Sequence, residues 1–217
     1  IGTKLFLQQV PFFFIMLTGA SFASMGFMPA LIEERGFMKY ETSEALYAEW
    51  VMSLANFLVD LPLGLLGASG QVYITFLFSG FPSTILRPLF TWVLLTFLAY
   101  DSLFACLAAF AKDAQLAQLI ATPVLTVFML FNGFVVSHSA APAWFKWLFE
   151  ISPNFRAMQS IITGVADEGG ADAQSIVQAF GYEAGHEGTG LAVMLGIIVV
   201  CRALQVVGLR CCNNIQR

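Results

Sequence analysis

The chain alternates long apolar stretches with short polar segments. Five stretches hold at most one charged residue each: residues 5–32, 61–86, 88–111, 114–145 and 188–209. The single charges are Asp101 and Arg202. A membrane-spanning helix needs about 20 mostly apolar residues. The pattern therefore predicts five spans, at about residues 5–32, 47–78, 87–111, 114–136 and 191–209.

The apolar stretches are continuous rather than alternating, which decides between the two structures that can cross a bilayer. A helix pairs its backbone N–H and C=O groups within one segment, as a lipid environment requires. A transmembrane β-barrel would show segments of about ten residues with alternating polarity. We therefore predict an all-α, polytopic membrane protein.

Composition supports this prediction and excludes several classes of protein. The 217 residues are 58% hydrophobic and 11% charged, whereas a soluble domain has about 25% charged residues. This excludes a soluble enzyme. The net charge of −4, from 10 basic and 14 acidic residues, leaves no basic patch for nucleic acid. Because the chain begins with Ile1, we expect a piece of a longer polypeptide.

Two polar segments stand out between the predicted spans. Residues 33–46 form the densest charge cluster and also contain apolar and aromatic side chains. This mixture favours a short amphipathic helix at the membrane interface over a solvated loop, and we expect it to dock a partner. Residues 137–189 form the long polar loop, which ends in an acidic, glycine-rich stretch from 167 to 189.

Two ordered sets of motifs carry a family resemblance. The first set follows the pattern "G-F, then P-x-W-x-x-W, then S-P-x-x-aromatic" and comprises Asn132-Gly133-Phe134, Pro142-Ala143-Trp144-Phe145-Lys146-Trp147 and Ser152-Pro153-Asn154-Phe155. The second set comprises Glu34-Arg35, Glu41 and Asp60-Leu61-Pro62. Together they resemble the ABC type-2 membrane domain of G-subfamily exporters, the white or pleiotropic-drug-resistance type of ABC transporter.

The resemblance implies a domain organisation. Residues 1–217 would form a single ABC type-2 transmembrane domain whose spans are helices two to six of six. Residues 33–46 would be its interfacial coupling helix, and short re-entrant helices would lie in the outer loop 137–189. The first membrane helix and the nucleotide-binding domain would precede Ile1.

The resemblance also implies a function. The full-length protein would be an ATP-driven exporter of hydrophobic or amphipathic small molecules, such as a lipid, sterol or xenobiotic, working by alternating access in the plasma membrane or an organelle membrane. Its partners would be the upstream nucleotide-binding domain, a second transmembrane domain, the bilayer and the substrate. This chain contains no G-x-x-x-x-G-K-[S/T] loop, so we expect ATP and Mg²⁺ to bind the nucleotide-binding domain and no cofactor to bind here.

Three groups of residues take roles from the resemblance. The substrate cavity would be lined by Phe22, Thr122, Thr126 and Met129. The apolar valve above the cavity would be Phe134 and Val135. Contact with the nucleotide-binding domain would fall to Glu34, Arg35 and Glu41. The simpler alternative for Phe22 is that it is one of 22 phenylalanines and faces lipid or a neighbouring helix.

Other readings of the sequence remain open. Asp101 is an intramembrane acid, and such residues are functional hypotheses by default, so an ATP-independent secondary transporter or channel using Asp101 is one alternative. A non-transporting membrane scaffold is another. We favour a structural role for Asp101, which would accept a hydrogen bond from neighbouring Tyr100 or Ser102, and helix-kink capping for Asp60. His138 and His186 are too isolated to predict a metal site.

Overall fold

The computed structural model describes residues 3–79, 83–139, 141–169, 177–178, 180–182 and 185–211. Within these ranges the chain forms helices and no β-strand, which confirms the predicted all-α fold class. The helices are α1 (Thr3–Met25), α2 (Met28–Ser43), α3 (Glu49–Ser79), α4 (Leu86–Phe110), α5 (Ala114–Leu130), α6 (Lys146–Ile151), α7 (Pro153–Gly169) and α8 (Glu187–Cys211). Two 3₁₀ turns, Ser83–Ile85 and Ala143–Phe145, precede α4 and α6.

Among the described residues, four helical runs are long and apolar enough to cross a membrane: Val10–Ser43, Glu49–Phe78, Ser83–Phe110 and Glu187–Cys211. The fifth apolar helix, α5, has 17 residues, a length of about 25 Å at 1.5 Å per residue. Its length lies at the lower limit for a transmembrane helix. The chain is therefore a multi-pass membrane protein.

The first span differs from its prediction. Residues 5–32 were expected to form one helix, but α1 ends at Met25 and α2 begins at Met28. A turn separates the two helices, in which the Phe27 N–H donates to the Ser24 carbonyl at 3.3 Å. Proline at the first positions of α2 explains the new start, because its missing N–H would be unpaired there in any case. Residues 33–43 of the coupling segment predicted at 33–46 are thus the later part of a longer helix, and residues 44–46 follow its end.

Helix α4 is the centre of the bundle. It contacts α1, α2, α3, α5, α7 and α8, and 72% of its most apolar window is buried, against 22% for α3 and 28% for α8. Small residues allow the close crossing of α4 and α8. A Cβ added at Gly208 of α8 would lie 3.0 Å from the Cβ of Ala109.

Different helices pack together at the two ends of the bundle. At the first, which we call the α2 end, Met38, Ala109 and Leu209 form a buried cluster that joins α2, α4 and α8. Helix α5 starts here, and Asp113 caps it by accepting a hydrogen bond from the Leu116 N–H at 2.8 Å. At the opposite end, the loop end, α5 stops at Leu130, short of the predicted limit at 136.

The segment after α5 folds back over the loop end. Its helices include the six-residue α6 and the 17-residue α7, so α7 is longer than the short re-entrant helices expected in 137–189. One face of α7 is buried against α1, α4 and α8. Much of the acidic, glycine-rich stretch 167–189 lies outside the described residues.

Candidate functional site

The predicted cavity residues lie on the exposed faces of two helices. Phe22 of α1 is 53% exposed. On α5, Thr122 and Thr126 are exposed and Met129 is half-buried. The spacing of four and then three residues places these three side chains on one face of α5. Helices α1 and α5 contact each other, so the two exposed faces belong to neighbouring helices.

From Thr122 to Met129 this face of α5 is almost apolar, whereas the exposed Gln118 side chain lies one turn before it. The Thr122 hydroxyl donates to the Gln118 carbonyl at 2.8 Å, and the Thr126 hydroxyl donates to the Thr122 carbonyl at 2.8 Å. Both hydroxyl protons are therefore donated within the helix. The surface is left with the threonine methyl groups and with hydroxyl oxygens that can only accept hydrogen bonds. The adjacent face packs into the bundle through Ala117, Ala121 and Leu125, and Met129 lies at its edge.

The predicted valve residues lie beyond the helix that was expected to carry them. Phe134 and Val135 were placed at the end of a span reaching 136, but α5 stops at Leu130. The side chain of Asn132 explains the change, because its Oδ1 accepts from the Phe134 and Val135 N–H groups at 2.8 and 2.9 Å. These bonds close a turn at the expense of another helical turn.

The two valve residues have different surroundings. The Phe134 ring lies 5.7 Å from that of Phe14 on α1 and 5.9 Å from that of Phe180. Phe134 is therefore half-buried within its own chain, whereas Val135 is 48% exposed. Val135 is the residue of the pair that is free to meet another molecule.

Tyr182 holds this turn and was not anticipated from the sequence. Its hydroxyl donates to the Asn132 carbonyl at 3.0 Å. Gly133 has a φ of +85°, and a Cβ added there would lie 2.6 Å from the Tyr182 ring. Burial raises the pKa of the Tyr182 phenol, so the hydroxyl stays protonated as a donor. The glycine thus serves both the backbone conformation and the close approach of the ring.

Arg35 joins the coupling segment to the core helix. Its Nη1 donates to the carbonyls of Ala108 and Ala109 at 2.8 and 3.0 Å, and its Nη2 donates to the Lys112 carbonyl at 3.4 Å. These carbonyls belong to the last turn of α4 and the residues after it, which have no partners in the helix. A cation at this position also complements the negative end of the helix dipole. Arg35 therefore fixes α2 to α4.

We expect Arg35→Lys to loosen the attachment of α2 to α4. A single ammonium group cannot reproduce a planar guanidinium that bonds three carbonyls. Hydrogen exchange at the backbone amides of α2 is expected to become about fivefold faster in Arg35→Lys, the size of a lost interaction of about 1 kcal/mol. Lys39→Arg on the same helix is the control. Unchanged hydrogen exchange of α2 in Arg35→Lys would contradict this role.

Glu41 and Glu34, the other predicted coupling residues, have separate surroundings. The Glu41 carboxylate accepts a hydrogen bond from the Tyr47 hydroxyl across the bend between α2 and α3. Glu34 is exposed. The apolar side chains Phe37 and Tyr40, each 74% exposed, lie on α2 beside these acids. The segment thus presents both charged and aromatic groups at its surface.

The Tyr47 phenol provides a pH test of the α2–α3 bend. The hydrogen bond to Glu41 is the main cause that raises the Tyr47 pKa from 10.0 to about 12, followed by burial and the carboxylate charge. Because the pKa is raised in the folded state, the bond stabilises the bend below pH 10 and is lost as the pH rises through about 12. The phenolate absorbance of Tyr47 is obtained by subtracting the pH titration of Tyr47→Phe from that of wild type. Its midpoint should lie near pH 12, and Glu41→Gln should lower that midpoint. A wild-type midpoint near 10 would refute the bond.

Asp101 is paired with a partner that the sequence did not predict. Its Oδ2 accepts from Nη2 of Arg202 on α8. Arg202 also donates to the Ser102 hydroxyl at 3.2 Å and to Oε1 of Gln205 at 3.1 Å. The expectation that Asp101 bonds to its neighbours Tyr100 or Ser102 was therefore wrong about the partner, although Ser102 belongs to the same network.

Asp60 belongs to this network as well. It is 6% exposed and interacts electrostatically with Asp101 and Arg202. This adds a contact between helices to its predicted role of capping the kink at Pro62, which stays a prediction. The Arg202 guanidinium also lies 5.0 Å from the centre of the Phe57 ring. These contacts join α3, α4 and α8 inside the bundle.

Comparison with known proteins decides the family. The sequence profile described as "ABC-2 type transporter" matches residues 3–165, most of the chain.

The chain belongs to the ABC-2 type transporter family.

Similar proteins place this ABC-2 domain in the G subfamily. It is 31% identical over 117 residues to ABC transporter G family member 53 of Oryza sativa subsp. japonica, covering 53% of this chain and 8% of that protein. It is 26% identical over 153 residues to ABC transporter G family member 2 of Dictyostelium discoideum, covering 69% and 11%. Member 48 of Oryza sativa subsp. japonica is 26% identical over 167 residues, covering 74% and 11%.

The chain spans about a tenth of the length of these curated relatives, 8% in one case and 11% in two. The predicted G-subfamily resemblance is thus confirmed, and the chain is a membrane transporter domain. The assignments of cavity, valve and coupling residues stay predictions.

Proposed function

We propose that this ABC-2 domain is the transmembrane half of an ATP-driven exporter that moves hydrophobic or amphipathic small molecules by alternating access. The observation that carries the proposal is the pair of exposed, largely apolar faces on the neighbouring helices α1 and α5. Exposed residues of α1 recur as a stripe at spacings of three and seven residues, in Phe12, Ile15 and Phe22. Such a stripe at helical spacing marks one face of the helix.

The chemistry of this face suits a flat, apolar substrate between two such domains. The ring of Phe22 offers a broad apolar surface with few rotamers. Met129 adapts to substrates of different shape. Because the hydroxyl protons of Thr122 and Thr126 are already donated to α5, the face offers few donors to a polar solute. This combination favours a lipid, a sterol or an aromatic xenobiotic over a sugar or an ion.

Val135 and Phe134 would close the path beyond the cavity. Val135 is the exposed member, and apolar side chains from two domains can close a path by excluding water. Phe134 supports it from behind, through its ring contacts with Phe14 and Phe180. Since Phe14 belongs to α1, the valve and the cavity helix are mechanically connected.

Helix α2 would transmit the force of ATP hydrolysis. ATP and Mg²⁺ would bind a nucleotide-binding domain of the same polypeptide, which would contact Glu34, Glu41 and the exposed aromatic side chains of α2. Arg35 would pass the movement on, because its guanidinium holds the end of α4. A rigid element that contacts both layers is the physical requirement for such coupling.

The alternatives remain outcomes of one experiment. Full-length protein is reconstituted into proteoliposomes, and the movement of three probes is measured: a fluorescent sterol, a fluorescent phospholipid and rhodamine 6G. We expect ATP-dependent movement of at least one probe, and none in a variant unable to hydrolyse ATP. Movement driven by a proton gradient without ATP would support the secondary transporter, and no movement of any probe would support the scaffold. Either result would overturn the proposal.

A further inference from the structure

Three ionisable side chains meet in the interior of the bundle, one from each of three helices. Asp60 lies on α3, Asp101 on α4 and Arg202 on α8. Their burial is nearly complete: Asp60 is 6% exposed, Asp101 is 1% exposed, and the Arg202 side chain is 12% exposed. This cluster is separate from the faces proposed for substrate and for coupling.

The charges of the cluster do not balance when both acids are ionised. Two carboxylates face one guanidinium, which leaves one uncompensated negative charge. A buried charge without a partner is among the most costly features of a protein interior. The other ionisable groups that act on the cluster are Glu34 from α2 and Cys201 from α8. Neither supplies a positive charge.

The hydrogen bonds of the two carboxyl groups indicate where the missing positive charge lies. Oδ2 of Asp101 accepts from Arg202. In contrast, Oδ1 of Asp101 and Oδ2 of Asp60 are buried without a hydrogen-bond partner among the described residues, and the two carboxyl groups act on each other electrostatically. Phe57, three residues before Asp60 and on the same face of α3, lies against the Arg202 guanidinium. Two ionised carboxylates are both acceptors. They can bond to one another if a proton lies between them.

We propose that Asp60 and Asp101 bind one proton between them, which forms with Arg202 an electrically neutral site at the contact of α3, α4 and α8. The proton turns one carboxyl into a donor and bonds α3 to α4. It also brings the charge of the cluster to zero. Like charges at close range favour such sharing of one proton by two carboxyl groups.

The proton is a fixed component of the site and not a transported ion. With Asp101 only 1% exposed, its carboxyl has almost no open surface through which an ion could pass. The shared proton holds α3 against α4, because the hydrogen bond between the two carboxyl groups breaks if α3 moves away from α4. The inference does not depend on which substrate the exporter moves.

Infrared spectroscopy tests the site on the full-length protein in membranes. A protonated carboxylic acid has a C=O stretch that is distinct from the carboxylate bands and shifts in D₂O. We expect this band in wild type at neutral pH and its loss in both Asp60→Asn and Asp101→Asn. Glu150→Gln is the matched control, because Glu150 pairs with Arg156 and its side chain is 53% exposed. This variant should keep the band.

Two results would overturn the proposal. One is a wild-type spectrum without a protonated carboxylic acid band, which needs no variant and cannot be confused with misfolding. The other is a band that persists in both Asp60→Asn and Asp101→Asn. A stability measurement adds a further check. Asparagine at position 60 can donate to Asp101 in place of the proton, so Asp60→Asn should keep the apparent Tm of wild type, and Asp60→Leu should lower it.

Discussion

Arg202→Met is expected to lower the free energy of unfolding of the membrane domain by about 3–5 kcal/mol. Methionine fills a similar volume but leaves Asp101 buried without its cation. Three interactions are lost together: the ion pair with Asp101 and the hydrogen bonds to Ser102 and Gln205. Urea-induced unfolding of purified full-length protein, followed by tryptophan fluorescence, measures the change.

The same substitution elsewhere on α8 supplies the control. Arg210 is 71% exposed, and its Nη2 lies 3.7 Å from Oε2 of Glu49. Exposed ion pairs contribute less than about 1 kcal/mol, so Arg210→Met should unfold almost as wild type does. The double variant Asp101→Leu with Arg202→Met removes both charges of the pair and should recover part of the loss. Equal stabilities of Arg202→Met and Arg210→Met would show that the buried pair is not structural.

Gly133→Ala is the second substitution with a large expected effect. The new Cβ would lie 2.6 Å from the Tyr182 ring, and alanine is strained at a φ of +85°. Backbone strain and overpacking cost about 1–3 kcal/mol each, so we expect a loss of about 3 kcal/mol. The turn that carries Phe134 and Val135 should open first, because Tyr182 loses its bond to the Asn132 carbonyl. Hydrogen exchange at the Phe134 and Val135 amides measures that opening.

Gly164→Ala is the matched control for this substitution. Gly164 lies in α7, and a Cβ added there would meet no atom within 4 Å. Alanine within a helix is more favourable than glycine by about 1 kcal/mol, so this variant should be neutral or stabilising. If Gly133→Ala were as well tolerated as Gly164→Ala, the close packing of Tyr182 against this turn would be refuted.

The helices could be predicted from the sequence because their cause is local. Each apolar run had the length of a span, and the pair Lys112-Asp113 marked the break between α4 and α5, where Asp113 caps the next helix. The charge cluster at 33–46 predicted a helix for a similar reason, and residues 33–43 are helical; its coupling role stays a prediction. Charges and apolar side chains together favour an interface helix whatever the rest of the fold does.

Other features depended on contacts between distant residues and could not be predicted. Asp101 and Arg202 are 101 positions apart, and each by itself looked like an isolated charge. Their pairing requires α4 and α8 to be neighbours. The end of α5 was misjudged because the apolar run continues past Leu130, whereas the Asn132 side chain and the hydroxyl of Tyr182 favour a turn.

The predicted cavity could not be assigned from the sequence for a different reason. Phe22 is one of many phenylalanines, and its helix is apolar on every side, so periodicity alone could not distinguish a substrate face from a lipid face. The structure leaves its ring 53% exposed on a helix that contacts α5. Exposure is a requirement for binding a substrate, but lipid-facing residues are exposed as well. The distinction therefore needs a functional measurement.

Substrate-stimulated ATP hydrolysis by full-length Phe22→Ala provides that measurement. Loss of the ring removes about 1.5–3 kcal/mol of apolar contact, so the concentration of rhodamine 6G needed for half-maximal stimulation should rise at least about tenfold. Phe78→Ala removes the same ring from α3, where it is 85% exposed, and should leave the stimulation unchanged. If Phe22→Ala responds to rhodamine 6G, the fluorescent sterol and the fluorescent phospholipid as wild type does, the face of α1 and α5 is not the substrate site.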